Sequence, residues 1–90
     1  MSNEAVSFAI ACENQDEIDY FWTKLLEGGE EGRCGWLKDK YGLSWQVVPA
    51  VLPQMMSGTD GLARDRVLSA LLKMKKFDLQ SLTQAYERGA

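Results

Sequence analysis

The side chains that most often carry out catalysis are scarce in this sequence. Its 90 residues include no histidine, which removes the commonest metal ligand and the usual general base near neutral pH. The two cysteines, Cys12 and Cys34, do not form a CxxC pair, and we interpret them as buried strand residues in a reducing compartment. Lys38 and Asp39 could act as an acid–base pair, but they flank a predicted turn, where solvated residues are the better interpretation. The composition therefore argues against most kinds of catalysis.

Three tryptophans could in principle form an aromatic cage for a ligand. Trp22 lies on the apolar stripe of a predicted helix, so we assign it to the core. Trp36 and Trp45 lie on two short predicted strands, and we expect both to pack against that helix rather than contact a ligand.

The charge balance excludes some partners. Thirteen acidic and ten basic residues give a net charge of −3, which argues against a nucleic-acid footprint. The lysines at 73, 75 and 76 form a local basic patch that we interpret as a solvated helix end. No apolar run approaches the roughly 20 residues of a membrane span. The N-terminal residues lack a secretory signal, so we expect a cytoplasmic protein that binds neither membrane nor nucleic acid.

The first half of the chain predicts one strand, one helix and a hairpin. Residues 5–12 alternate larger and small side chains, as in a strand with one packed face. Asn14 and Glu17 form a capping box that begins a helix, and Gly28-Gly29 ends it. Residues 27–32 could contain one more short strand.

The hairpin consists of strands at 33–38 and 43–48 around Asp39-Lys40-Tyr41-Gly42. A four-residue loop places Trp36 opposite Trp45, although a bulge would shift this register. The remaining residues are predicted to be helical: a turn begun by Pro53, a helix that Thr59 or Asp60 caps and that runs to about Lys75, and a last helix capped by Asp78.

Four segments of the sequence resemble a known family. They are Ala5–Leu25 (AVSFAIACENQDEIDYFWTKL), Cys34–Pro49 (CGWLKDKYGLSWQVVP), Leu52–Met55 and Arg66–Tyr86. Together they resemble the 3-demethylubiquinone methyltransferase-like (PhnB-like) family of the vicinal oxygen chelate, or glyoxalase, superfamily. The resemblance implies an α+β fold: a single βαβββ module with a mostly antiparallel sheet over residues 1–50, and a helical C-terminal tail over residues 51–90 packed on it as one structural domain.

The resemblance also implies that a complete domain contains two such modules around one cavity, of which this sequence carries the second. An expressed fragment, a truncated gene and a natural half-protein would each account for this. A lone module exposes one sheet face and an edge, so we expect a homodimer.

Site residues follow from the resemblance together with strand alternation. Metal-dependent members take ligands from the first and last strands of each module, at positions that correspond to Ser7 and Gln46. Ser7 is a poor ligand and Gln46 a weak one, so we expect no metal site and no cofactor. If Trp45 and Val47 face the helix, one sheet face forms a pocket for a small molecule. Its candidate residues are Ser7, Ala9, Ala11, Leu37, Ser44, Gln46 and Val48.

Three functions stay open on this sequence. The first is a small-molecule-binding homodimer without a complete metal site of its own. The second is a metal-dependent lyase- or dioxygenase-type enzyme of the same superfamily, and the third is a truncated structural remnant. The methyltransferase activity is disfavoured, because the predicted first strand is followed by Glu-Asn-Gln-Asp-Glu instead of a glycine-rich loop.

Overall fold

The structure, a computed structural model, describes residues 7–88 as a four-stranded sheet with one helix across it and three helices after it. The elements in chain order are β1 (Ser7–Cys12), α1 (Gln15–Leu26), β2 (Glu30–Glu31), β3 (Trp36–Lys38), β4 (Ser44–Pro49), α2 (Leu52–Ser57), α3 (Gly61–Leu71) and α4 (Leu79–Glu87). The α+β module with a helical tail is therefore confirmed, including a short second strand within residues 27–32. The division at residue 50 stays a prediction.

The sheet has the order β1-β4-β3-β2, so the first and last strands lie side by side. They pair in parallel, with Ser7 opposite Ser44 and Ala11 opposite Val48. The other two pairings are antiparallel. A parallel pairing needs a crossover, which α1, β2 and β3 supply between β1 and β4.

The predicted hairpin register is wrong by one residue. Trp36 lies opposite Gln46 instead of Trp45, and Leu37 lies opposite Trp45. The backbone N–H of Gly42 donates to the carbonyl of Asp39, and the N–H of Asp39 donates to the carbonyl of Leu43. This is a three-residue loop with Gly42 at φ +83° as a bulge. Leu43 therefore lies opposite Asp39, whereas a four-residue loop would place it opposite Lys38.

Helix α1 begins at the predicted cap and covers one face of the sheet. The N–H of Glu17 donates to the Asn14 carboxamide, and the N–H of Glu13 donates to the Glu17 carboxylate. The first bond satisfies a donor that the helix N-terminus leaves without a partner, and the second holds the residue before the cap against the first turn. A core cluster then forms between helix and sheet, consisting of Cys12, Ile18, Trp22, Leu37 and Val47. Trp22, only 4% exposed, is a core residue as predicted.

The tail forms a second core cluster at the start of β3. Its buried members are Met55, Val67, Leu71, Phe77 and Leu82. The backbone N–H groups of Cys34 and Gly35 donate to the carbonyls of Met74 and Lys75, which fixes the segment after α3 to the hairpin. Gly35 has φ +81°, and a Cβ there would lie 2.5 Å from the Phe77 ring, so the approach requires glycine.

Two predictions for the tail are corrected by the structure. Helix α3 ends at Leu71 rather than near Lys75, because residues 74 and 75 instead bond to the hairpin. Asp78 stands at the N-cap of α4, but its carboxylate accepts from the Ser81 hydroxyl. The N–H of Leu79 donates to the side-chain oxygen of Gln15 in α1. The side chain that caps α4 therefore comes from a residue 64 positions earlier in the sequence.

Candidate functional site

The sheet face opposite α1, here called the open face, carries most of the predicted pocket residues. The parallel register sets Ser7 beside Ser44, Ala9 beside Gln46 and Ala11 beside Val48. Because directly paired residues project to the same side, these six residues share one face. Ser7, Ala9 and Ala11 are exposed on it, and Gln46 is half-buried.

Leu37 is the exception among the predicted pocket residues. It pairs with Trp45, points toward α1 and is 2% exposed in the first core cluster. Its predicted place on the open face is wrong, because the bulge at Gly42 moves β3 by one residue and a one-residue shift exchanges the two faces. The predicted helix-facing position of Trp36 is wrong for the same reason.

Trp36 and Lys38 occupy the open-face positions of β3. Trp36 lies opposite Gln46 and is 37% exposed, and Lys38 lies opposite Ser44. Glu30 of β2 lies opposite Lys38, which adds a carboxylate to the same row. The sequence could have indicated these residues, since Gly at the end of a short hairpin loop is typical of a bulge.

A groove of about 280 Å³ runs over the open face where β2, β3 and β4 meet. It is lined by Glu30, Glu31, Gly32, Trp36, Leu37, Lys38 and Ser44. Gly32 contributes no side chain, and a Cβ there would lie 2.8 Å from the Trp36 carbonyl oxygen. The indole of Trp36 therefore forms an apolar wall beside polar groups, a combination typical of small-molecule sites.

Gln46 is the most versatile polar group on this face. Its amide can donate two hydrogen bonds and accept two. Within residues 7–88 the side chain of Gln46 has no hydrogen-bond partner. Ser44, one row away and 8% exposed, adds a hydroxyl. The arrangement can bind a polar molecule but supplies no strong nucleophile or general base.

Val48 lies at the end of the open face that the tail covers. It is half-buried against the second core cluster. The open face is therefore closed at this end and exposed toward Ser7 and Lys38.

The hairpin turn contains a carboxylate with a perturbed pKa. The Asp39 carboxylate accepts a hydrogen bond from the Trp45 indole at 2.9 Å, and further bonds from the backbone N–H groups of Leu43 and Tyr41. These bonds, the indole bond foremost, lower the pKa of Asp39 below its ordinary value of 3.8. Asp39 thus stabilises the turn and orients Trp45, which is a structural role.

The two thiols lie in different surroundings. Cys12 is buried in β1 as predicted, and desolvation, followed by the nearby Glu17 charge, raises the pKa of its thiol. A raised pKa keeps the thiol protonated and unreactive. Cys34 precedes β3 in a turn at φ +56° and is half-buried, so its predicted buried strand position is wrong.

Neither a metal cluster nor a membrane-spanning helix occurs in the part of the chain that the structure describes. Across residues 7–88, no group of three His, Cys, Asp or Glu side chains could hold a metal ion. The helices in this range are too short or too polar to cross a membrane.

Comparison with known families agrees with the fold. The model of the family described as 3-demethylubiquinone-9 3-methyltransferase matches residues 1–48, which include β1, α1 and most of the hairpin. No curated protein matches the sequence. The family match covers more than half of the chain, and the strand order places β1 beside β4 in a βαβββ module. The chain belongs to the 3-demethylubiquinone-9 3-methyltransferase family, which is of the glyoxalase, or vicinal oxygen chelate, type.

Proposed function

We propose that this chain is a small-molecule-binding module that works as a homodimer, with the open face as its binding surface. One observation carries the proposal. The sheet has a packed face beneath α1 and a second face with a groove that Ser44 and Trp36 line, and Gln46 lies opposite Trp36 on the same face. A small domain seldom leaves such a face without a partner or ligand.

The chemistry of the open face favours binding over catalysis. Gln46 and Ser44 can anchor polar atoms of a ligand, and the Trp36 ring can stack on an apolar part. Small side chains at Ala9 and Ala11 leave space above β1. This is the pattern of an apolar pocket with a few polar anchors.

The homodimer is supported by the exposed strand β1. Its pairing to β4 occupies one edge, and within residues 7–88 no strand pairs with the other edge. Phe8, which pairs with Trp45 on the α1 side of the sheet, is 45% exposed at this edge. A second copy would cover the apolar surface and the unpaired backbone groups together.

The activity in the family name is not part of this proposal. Strand β1 passes into α1 through Glu13 and Asn14, whereas methyl donors with an adenosyl group usually bind a glycine-rich loop at that point. A metal-dependent lyase or dioxygenase would need ligands from outside residues 7–88, since no group of three His, Cys, Asp or Glu side chains that could hold a metal ion occurs there. We likewise propose a cytoplasmic location.

The homodimer is tested by light scattering coupled to size-exclusion chromatography at micromolar concentration. We expect twice the mass of one chain for the wild type and a monomer for Ala9→Arg, which places a long cation on the open face. Thr23→Arg, on the exposed side of α1, is the matched control and should stay dimeric. A monomeric wild type contradicts the proposal.

Ligand binding is tested by ligand-observed NMR with a library of small aromatic carboxylates and amides. We expect hits whose binding to Gln46→Ala is weaker by about 1–2 kcal/mol, the contribution of one hydrogen bond. Gln54→Ala, an exposed amide on α2, should bind as the wild type does. The contrary outcome is a dimer that binds no library member and in which Gln46→Ala changes only dimer stability. That result would indicate that the open face is a filled interface and the chain a structural remnant.

A further inference from the structure

A basic groove lies between α3 and α4, in the tail beyond the family match. It has a volume of about 350 Å³ and is lined by Arg66, Ser69, Ala70, Lys73, Ser81, Gln84, Ala85 and Arg88. Three of these residues are cations, and none of the described lining residues carries a carboxylate. The whole chain carries a net charge of −3, so this concentration of positive charge does not follow from composition.

The guanidinium of Arg66 is held in a fixed orientation at one end of the groove. Its Nε donates to the carbonyl of Ala85 at 2.7 Å, and one terminal nitrogen donates to the carbonyl of Tyr86 at 3.0 Å. These bonds cap the last turn of α4. A guanidinium has five N–H donors, so Arg66, which lines the groove, has further donors beyond these two bonds.

The remaining cations come from both walls of the groove. Lys73 follows the end of α3, and Arg88 is the C-cap of α4. The hydroxyl of Ser69 and the amide of Gln84 add neutral donors between them. The Asp78 carboxylate accepts the Ser81 hydroxyl at 2.7 Å, so one carboxylate adjoins the lining at Ser81.

We propose that the groove between α3 and α4 binds the phosphate group of a small phosphorylated molecule. A dianionic phosphate has several acceptor oxygens, which suits one oriented guanidinium with two further cations and neutral donors. The volume matches a small molecule rather than a polymer. The site is separate from the open face and does not depend on the function proposed for it.

The test is an NMR titration of the ¹⁵N-labelled full chain with pyrophosphate against sodium chloride at matched ionic strength. We expect saturable shifts of the Ser69, Lys73 and Gln84 amides with pyrophosphate only. The double variant Lys73→Gln/Arg88→Gln should weaken binding about fivefold or more, because two close charge interactions are lost. Arg66 is left intact, since its replacement would also uncap α4.

The matched control removes two cations from another cavity. Lys24 and Lys40 line a cavity that also contains the Asp39 carboxylate, so Lys24→Gln/Lys40→Gln lowers net charge equally without changing the groove. We expect unchanged pyrophosphate binding. If both double variants weaken pyrophosphate binding equally, the weakening comes from net charge alone and the proposal is overturned. Chemical shift changes that sodium chloride reproduces would also overturn it.

Two further outcomes separate other sources of anionic groups. The first is binding of the chain to vesicles with 30% phosphatidylglycerol (about one anionic lipid in three) without binding of pyrophosphate. It would indicate that the groove binds a membrane surface instead. Binding of a polyglutamate peptide without pyrophosphate binding would indicate an acidic protein partner. Either result overturns the proposal.

Discussion

The two faces of the sheet are formed by the same strands but differ in what covers them. The face beneath α1 carries Leu37 and Val47, which are sealed against Ile18 of the helix. The open face carries Trp36 and Gln46. No element of residues 7–88 covers these two side chains as α1 covers Leu37 and Val47. Neighbours in one strand therefore serve different purposes, and alternation alone separates a core residue from a candidate site residue.

This difference teaches that register decides which side chains each face of a half-open sheet presents. A shift of one residue in β3 would exchange Leu37 and Trp36 between core and site. The G-bulge at Gly42 fixes the register, and the Asp39 carboxylate holds the turn through the N–H groups of Tyr41 and Leu43. A local turn thus specifies which side chains the open face presents.

The largest expected effect distinguishes the two faces directly. Leu37→Ala should lower the free energy of unfolding by about 2–5 kcal/mol, because it leaves a cavity in the core. Trp36→Ala, one residue earlier, should cost below about 1 kcal/mol at concentrations where the chain is monomeric. Guanidinium unfolding measures both. A larger loss of unfolding free energy for Trp36→Ala than for Leu37→Ala would mean that the two faces are exchanged. If the loss for Trp36→Ala rises with protein concentration, a second copy binds on the open face.

The next effect compares two glycines with nearly the same φ angle, +81° at Gly35 and +83° at Gly42. Gly35→Ala forces a Cβ within 2.5 Å of the Phe77 ring, whereas Gly42→Ala meets no atom within 4 Å. Gly42→Ala should cost about 1–2 kcal/mol, the penalty of the left-handed conformation alone. Gly35→Ala should cost more, because it also separates the tail from the hairpin. Thermal unfolding checks the order, and equal costs would show that the tail moves aside freely.

An effect of comparable size concerns the link between α1 and the tail. The Gln15 amide donates to the Phe77 carbonyl and to Asp19, and it accepts from the N–H of Leu79. Gln15→Ala should cost about 1–3 kcal/mol, since it leaves partly buried backbone groups without partners. Hydrogen exchange should show faster exchange of the Leu79 amide. Asp78→Ala should leave that amide protected, and loss of protection there would make Asp78 the true cap.

The smallest effect is a pH dependence of the turn. The pKa of Asp39 is lowered, so its carboxylate stabilises the folded chain above its ordinary pKa of 3.8. This contribution is lost as the pH falls below 4 through the folded pKa. Asp39→Asn should therefore flatten the acid limb of the stability curve, measured by urea unfolding from pH 2.5 to 6 (about the range of carboxyl titration). An unchanged slope would assign acid sensitivity to other carboxylates, with Asp19, whose pKa Lys76 lowers, as the first candidate.

Local signals predicted a good part of this structure. The Asn14–Glu17 capping box predicted the start of α1, and the apolar stripe correctly placed Trp22 in the core. Alternation in β1 and β4 correctly predicted which of their residues share a face, since Ala9 and Gln46 are paired. That these residues bind a ligand stays a prediction.

The missed features depend on contacts between distant residues. The cap of α4 comes from Gln15, and α3 ends early because residues 74 and 75 bond to the hairpin. The helical pattern continues through that end, so no local signal marked it. The basic groove likewise needs α3 and α4 to be antiparallel neighbours before Arg66 and Arg88 come together.

The sequence by itself determined the kind of module, because caps, alternation and turn residues act within a few positions of the chain. It also determined that the chain contains no histidine, so any site in this chain lacks the commonest metal ligand and the usual general base near neutral pH. Only the tertiary structure decided that Trp36, and not Leu37, stands beside Gln46 on the open face. The physical reason is that one bulged residue in the hairpin costs little locally but reverses the orientation of every side chain in the short strand before it.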